Sequence, residues 1–441
     1  MTKICLLIWL FLALPAFSEQ RRLILISIDG LKAQTLWNAE RLGLKIPNLI
    51  EFRDRGAAAE GLLGVFPTVT YPSHTTMVTG VAPATHGIIS NTLFDPERKL
   101  NGAWFWYTEL LKAPTLWQAA KKAGLTTAAV GWPVTAGAQI DYNIPEYRTP
   151  RNSDQLMLWR ALATPGLLAE YEAARGRPKT DGEHFDEQLS DWAAYLLEIK
   201  KPHLLLLHLV DLDHDQHAHG PESEPALRTL ENIDRVLGKL RKSVEVAGVA
   251  SQTRWIIVSD HGFFRVEKAL HPEAILASFG LTAPEEDPAK WRVGVMIAGG
   301  AAAFVAKDPS DLEAQEQVTS VLRRMKQEGS FGIDRILDRA ELSRMNAWPN
   351  AFLAISMEEG WTIGSARAGA WVTPSPRVKG THGYAPGSPK MDCTFIAYGP
   401  GVEARKLPRG ELRDVAKTAA NLLGVSLPTA EGRDLLQGNS N

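Results

Sequence analysis

Cysteine is almost missing: Cys5 and Cys393 are the only two in 441 residues. Cys5 lies in a segment that reads as a removable leader. The mature chain would then close no intramolecular disulfide, even in an oxidising compartment. Stability must come from buried apolar surface, and thirteen tryptophans suit a large core. Cys393 reads as a small buried hydrophobe rather than a reactive thiol. Charge excess is lacking as well. A formal net charge of −2 leaves no basic excess to displace counterions from nucleic acid or to hold an anionic membrane. Neither internal repeats nor Gly/Ser-rich tracts occur, which argues against a repeat array and against flexible linkers.

What is present begins at the N-terminus. MTKICLLIWLFLALPAFSEQ combines Lys3, an apolar run from Ile4 to Leu14, and the small-x-small site Ala16-Phe-Ser18. This predicts a signal peptide over residues 1–18, because the run is too short to span a bilayer comfortably. An uncleaved anchor is the alternative. The expectation is an exported protein, periplasmic or secreted, with no stable membrane span after cleavage.

Several short apolar runs end in a charged or hydroxylic residue. Leu23-Ile-Leu-Ile-Ser-Ile28 runs into Asp29, Leu204-Leu-Leu-Leu-His-Leu-Val210 into Asp211-Leu-Asp213, and Trp255-Ile-Ile-Val258 into Ser259-Asp260-His261. Continuous apolar runs suit strands buried on both faces of a parallel sheet. Between them, residues 114–123, 184–200 and 226–247 carry apolar residues at helical spacing. The alternation predicts an open α/β sheet, whose ligands bind beyond the carboxyl ends of the strands. A catalytic core over 19–262, a less regular, turn-rich insertion or cap over 263–372, and a return to the core over 373–441 complete the expected organisation. Thr394 to Tyr398 reads as a returning strand and Leu412 to Leu423 as a closing helix.

Those strand ends are candidate metal ligands. In Asp211-Leu-Asp-His-Asp-Gln-His-Ala-His219 three aspartates and three histidines fall within nine residues. Carboxylates and imidazoles without thiolates suit zinc, and manganese or iron accept the same donors. The register stays open here, since Asp213/His217 and Asp215/His219 share the Asp-x-x-x-His spacing. His382, between Thr381 and Gly383, is a further candidate. The inventory is enough for two ions, which can clamp both oxygens of an in-line displacement at phosphorus.

VFPTVTYPSHTTMVTG, residues 65–80, holds five threonines and a serine. Pro72 suits the first residue of a helix running through Ser73 to Thr79 and ended by Gly80. Thr70 would lie just ahead of that helix, where free N–H groups favour a phosphate. A threonine hydroxyl becomes a useful nucleophile when a metal draws off its proton. Thr68 is the rival nucleophile, and a hydroxyl N-cap without chemistry is the bland reading.

Six motifs now stand in order: Ile28-Asp29-Gly30, the segment 67–80, Thr85-His-Gly-Ile-Ile-Ser-Asn91, Asp213-x-x-x-His217-x-x-Gly-Pro221, Ser259-Asp-His-Gly262 and Gly380-Thr-His-Gly-Tyr384. Together they resemble the ectonucleotide pyrophosphatase/phosphodiesterase family of the alkaline phosphatase superfamily, from about Leu23 to Gly401. The resemblance implies an alkaline-phosphatase-like, mostly parallel central sheet flanked by helices, with a small inserted cap. It implies two zinc ions, one on Asp213, His217 and His382 and the other on Asp29, Thr70, Asp260 and His261. The Gly220-Pro221 anchor selects Asp213/His217 over its rival.

Thr70 would attack phosphorus, forming a phosphothreonine that water hydrolyses. Asn91, with the Tyr71 N–H, would hydrogen-bond a non-bridging phosphate oxygen. The Tyr71 ring would pack on the leaving or nucleoside group, or else sit in the core as a helix-end aromatic. The implied substrate is a small phosphate diester or pyrophosphate, with nucleotides as candidates. A phosphomonoesterase, or a C–P hydrolase resembling phosphonoacetate hydrolase, is the alternative on the same ligands. The sulfatase motif Cys/Ser-x-Pro-x-Arg does not occur. Two departures from the family bear on substrate: His214-Asp215-Gln216 between the ligands, and His208 where an aromatic would sandwich a nucleobase.

Overall fold

The computed structural model describes residues 21–100, 102–148, 152–178, 185–284, 286–375 and 377–437. The predicted signal peptide lies outside these residues, as does the first residue of the helix expected over 184–200. Among the described residues, no helix is long and apolar enough to cross a membrane.

The three apolar runs become neighbouring strands at the centre of an eight-stranded sheet. Its order is Arg405–Leu407, Ala57–Ala59, Phe395–Tyr398, Thr253–Val258, Arg22–Ile28, Leu204–Leu209, Thr127–Val130, Tyr142–Ile144. All pairings are parallel except those of Phe395–Tyr398, which runs against both neighbours. The returning strand expected near residue 395 is therefore present, inserted between two strands that precede it in sequence.

Successive side chains of a strand point to opposite faces, so a strand covered on both sides must be apolar throughout. Ile24, Ile26 and Ile28 enter one core layer, with Leu49 and Phe52 of helix Pro47–Arg55, Trp192 of helix Asp186–Tyr195, and Ile233 and Leu237 of helix Glu224–Val246. Leu23 and Leu25 enter the other, with Met77 of helix Thr70–Thr79, Trp117 of helix Leu116–Lys122 and Val415 of helix Asp414–Leu423. Each fully buried aliphatic side chain stabilises this sandwich by about 1.5–3 kcal/mol. The helix expected to run through Lys200 is α-helical only to Tyr195 and continues as a π-turn over Leu196–Lys200. That turn ends on Lys201 in a left-handed conformation (φ 49°), which turns the chain into the strand Leu204–Leu209.

The 263–372 segment is more regular than its sequence pattern predicts. Strands Ile333–Asp338, Leu353–Met357, Ala301–Ala306 and Val293–Ala298 form an antiparallel sheet in that order. Helix Leu312–Glu328 covers it through Ala314, Val318 and Leu322. A further small sheet gathers Gly360–Ile363, Val372–Pro374 and Gly380–Thr381 around Phe264–Leu270. The sequence under-reports the strand Ala301–Ala306 because alanine, a weak strand former, makes up most of it. The Gly299-Gly300 hairpin tip matters to the site. Gly300 N–H donates to His382 O at 2.7 Å, and a Cβ on Gly300 would lie 2.2 Å from the Tyr384 ring. Only glycine lets this hairpin of the four-stranded sheet approach the His382 loop so closely.

Candidate active site

Strand register brings the first two carboxylates together. Ser27 pairs with Val258 on one side and His208 on the other, so Asp29 and Asp260, each two residues on, leave the sheet side by side. The segment after Leu209 is a helix, Asp211–His219, with two aspartates in its first turn and two histidines in its last. Both placements complement the helix dipole. Asp213 and His217 lie one turn apart and share a face, 3.4 Å from Oδ1 to Nε2. Asp215 instead turns into the protein, where its carboxylate accepts the Thr229 hydroxyl, and His219 is exposed. Gln216 donates from Nε2 to Gly30 O at 3.0 Å. Asp215 and Gln216 thus brace a neighbouring helix and backbone rather than adding side chains to the cluster.

His261 Nε2 lies 3.2 Å from Asp29 Oδ1 and 3.1 Å from Asp260 Oδ2, and His382 Nε2 lies 3.5 Å from Asp213 Oδ1. One ligand atom each from Asp29, Asp260 and His261 fall within 4.8 Å of one another, as do those of Asp213, His261 and His382. The other nitrogen of each ring is tied to a carbonyl. Nδ1–H donates to Gly380 O from His217 (2.8 Å), to Gly262 O from His261 (3.2 Å) and to Thr68 O from His382 (3.1 Å). A carbonyl only accepts, so Nδ1 carries the proton and Nε2 turns inward.

Inward lone pairs facing carboxylate oxygens repel unless positive charge lies between them. Asp29 Oδ1, Asp213 Oδ1, Asp260 Oδ2 and His261 Nε2 are all buried without a hydrogen bond. Such orphaned hard and borderline donors fit divalent metal ions. The same field acts on protons: burial and the charges of Asp260 and Asp213 raise the Asp29 pKa well above the usual range. Burial alone would depress His261, but the adjacent Asp260 carboxylate pushes it up to about 9.

The hydroxyl-rich stretch separates into distinct roles. Its helix spans Thr70–Thr79, with Val69 extended before it and Gly80 left-handed after it (φ 72°). Thr70 is therefore the first helical residue, not the residue ahead of the helix as Pro72 alone suggested. Proline is tolerated at the third position because the first four N–H groups have no helical acceptor. Thr68 donates its hydroxyl to Tyr384 O (2.9 Å) and accepts Gly383 N–H (3.0 Å), so it straps the His382 loop. Thr75 and Thr79 bond back to the carbonyls four residues earlier, and Thr76 pairs with His86.

Asn91 Oδ1 accepts the Tyr71 N–H at 2.9 Å. The Tyr71 ring is fully buried, its centroid 5.3 Å from that of Trp104, which favours the core reading of this side chain. The loop carrying Asn91 is pinned by His86, whose Nδ1 accepts Ile88 N–H at 3.1 Å.

Two buried histidines were not assigned roles from sequence. His74 Nδ1–H donates to Thr70 O at 2.8 Å, and the ring stands 4.2 Å from that of His208. His208 does not face the cleft as a substitute for a base-stacking aromatic. It is wholly buried and donates from Nε2 to Asp29 Oδ2 at 3.0 Å. Burial disfavours its charge, yet Asp29 and Glu146 push its pKa up to about 10. The available signal was a histidine inside a strand that is otherwise entirely leucine, since a polar group there needs partners.

The fold and the site together define an alkaline-phosphatase-like α/β protein with a carboxylate–imidazole cluster at the carboxyl edge of its sheet. A family model described as type I phosphodiesterase / nucleotide pyrophosphatase matches residues 23–385, and the chain belongs to that family. Ectonucleotide pyrophosphatase/phosphodiesterase family member 1 of Rattus norvegicus is 26% identical over 258 residues, covering 56% of this chain and 24% of the relative. An uncharacterized pyrophosphatase/phosphodiesterase of Schizosaccharomyces pombe is 30% identical over 253 residues, covering 55% and 45% respectively. Venom phosphodiesterase 1 of Crotalus adamanteus is 28% identical over 252 residues, covering 56% and 26%. The matches thus span less than half the length of these relatives. The structure of human ectonucleotide pyrophosphatase/phosphodiesterase 5 superposes with a TM-score of 0.68 at 20% identity, covering 95% of this chain and all of that one. The murine protein, as an inactive threonine-to-alanine variant in complex with AMP, gives 0.65 at 20% identity with the same coverage.

Proposed function

We propose that this chain is an exported hydrolase of phosphate diesters and pyrophosphates, nucleotide-derived molecules among them, acting through a phosphothreonine at Thr70. The observation that carries this reading is the set of orphaned carboxylate and imidazole atoms, which meets the helix that Thr70 opens through His74, 3.7 Å from Asp260 Oδ2, and through His382 on Thr68 O. Asp213, His217 and His382 would hold one zinc ion, and Asp29, Thr70, Asp260 and His261 the other, with manganese or iron accepting the same donors. Bound ions would supply positive charge to the attacking and leaving oxygens.

The chain's own groups do the rest. The Thr70 oxygen forms a bond to phosphorus as the bond to the leaving oxygen breaks, and water then takes the phosphoryl group from Thr70. Asn91 Oδ1 accepts the Tyr71 N–H, so that N–H is engaged by Asn91 rather than free for phosphate as the resemblance implied, and the Asn91 amide nitrogen would be the donor to a phosphate oxygen. Thr68 keeps the His382 loop in place and contributes no nucleophile. Export fits the N-terminal reading and the venom phosphodiesterases among the relatives. The test is turnover of a bis-aryl phosphate against the mono-aryl phosphate by zinc-loaded protein. Faster diester turnover is expected, and faster monoester turnover would overturn the assignment.

A further inference from the structure

Each of two neighbouring ligand candidates has one carboxylate oxygen committed and the other presented. In Asp260 the backbone does this: Gly30 N–H and His261 N–H donate to Oδ1 at 3.0 and 3.1 Å, leaving Oδ2 orphaned beside His261. In Asp29 a side chain takes that part. Oδ2 accepts His208 Nε2–H at 3.0 Å, and Oδ1 is the orphan facing His261.

The His208 ring is fixed at its far end too. Nδ1–H donates to Gly131 O at 3.1 Å and lies 3.5 Å from Glu146 Oε2. Glu146 in turn lies 3.5 Å from Arg148 Nε. His74 packs on one side of the ring, and Trp132 meets His74 edge-on at 4.9 Å. His208 and Glu146 are both buried, so neither reaches substrate.

We propose that His208 is a positioning residue for Asp29: its Nε2–H donor occupies Oδ2 and presents Oδ1 alone to the metal cluster, while Gly131 O and Glu146 hold the ring. A carboxylate without that bond is free to rotate or to offer both oxygens, and ligand geometry is then lost. The inference rests on Asp29 being a metal ligand.

Two amide substitutions isolate the bond. His208→Gln can place a donor where Nε2 stands, whereas His208→Asn reaches only the Nδ1 position and keeps the bond to Gly131 O. Zinc affinity is read by chelator competition on the full chain, alongside thermal melting. His208→Asn should hold one of two zinc equivalents about 10- to 100-fold more weakly than wild type, and His208→Gln should stay within a few-fold. Glu146→Gln should weaken the same equivalent by a smaller factor. Equal zinc affinity in the Asn and Gln variants would overturn the inference, whatever their melting temperatures. A wild-type chain that takes up no zinc would instead sink the metal reading itself.

Discussion

The imidazole rings of His261 and His382 lie face to face, with centroids 3.6 Å apart and planes 8° from parallel. They arrive from opposite directions, one where a central strand ends and the other from a loop braced by the small sheet. Stacked so closely, both rings cannot carry a proton at modest cost. Burial and the neighbouring His261 charge accordingly hold the His382 pKa well below its usual value. His382 thus offers a neutral ring, and a metal bound at His261 would have to displace the proton that Asp260 favours there, leaving both Nε2 atoms as ligands.

Thr70→Ala should abolish turnover while leaving the protein folded, with its zinc held by Asp29, Asp260 and His261 alone at that site. Thr68→Ala should behave in the opposite way. It removes the hydroxyl that serves Gly383 N–H and Tyr384 O, costing about 1–3 kcal/mol for buried groups left unpaired, with turnover retained in the folded fraction. Steady-state assays paired with denaturant melts of both variants distinguish these outcomes. Substantial activity in Thr70→Ala would show that the nucleophile lies elsewhere.

Asn91→Ala should lower kcat by about 10²- to 10³-fold, the cost of one lost oxyanion donor. Asn91→Asp is a sharper probe, because it keeps the acceptor for Tyr71 N–H and replaces the amide donor by a like charge. It should be at least as impaired as the alanine variant. Recovery of wild-type kcat in Asn91→Asp would mean that only the helix-holding bond matters.

Metal removal should cost both activity and stability. Chelation should end turnover and zinc should restore it. The melting temperature should fall on chelation, since a site filled at 100 times its Kd contributes about 2.7 kcal/mol. Asp213→Asn should retain about one zinc equivalent, measured by elemental analysis after gel filtration. Two equivalents retained in that variant would remove Asp213 from the ligand set.

His86 should set part of the acid limit of folding. Burial depresses its pKa to about 3, against roughly 6.5 in an unfolded chain. A depressed folded pKa means that the unfolded chain binds the proton. The stabilising contribution is therefore full above pH 6.5 and is lost as pH falls toward 3, by up to about 1.4 kcal/mol per pH unit. Protonation would also turn Nδ1 into a donor facing Ile88 N–H. His86→Gln cannot titrate, so its melting temperature should fall less steeply between pH 6.5 and 4. Parallel slopes for the two proteins would refute this.

Local pattern alone determined the central strands, the helix expected over 226–247 and found at Glu224–Val246, and the residue types of the cluster. Strand and helix periodicities are short-range properties, and a run such as Leu204–Leu209 has few alternatives to a doubly buried strand. Tertiary structure decided the rest. Asp213/His217 and Asp215/His219 have identical spacing, and the fold separates them by turning Asp215 toward Thr229, fourteen residues away on another helix. Thr68 and Thr70 differ little in sequence context. They part because Gly383 and Tyr384, more than three hundred residues on, claim the hydroxyl of Thr68. His208 stood in the sequence only as a departure from an expected aromatic, and strand pairing placed its ring behind Asp29. In each case the deciding contact joins residues whose proximity depends on strand order and helix face, quantities that no local period encodes.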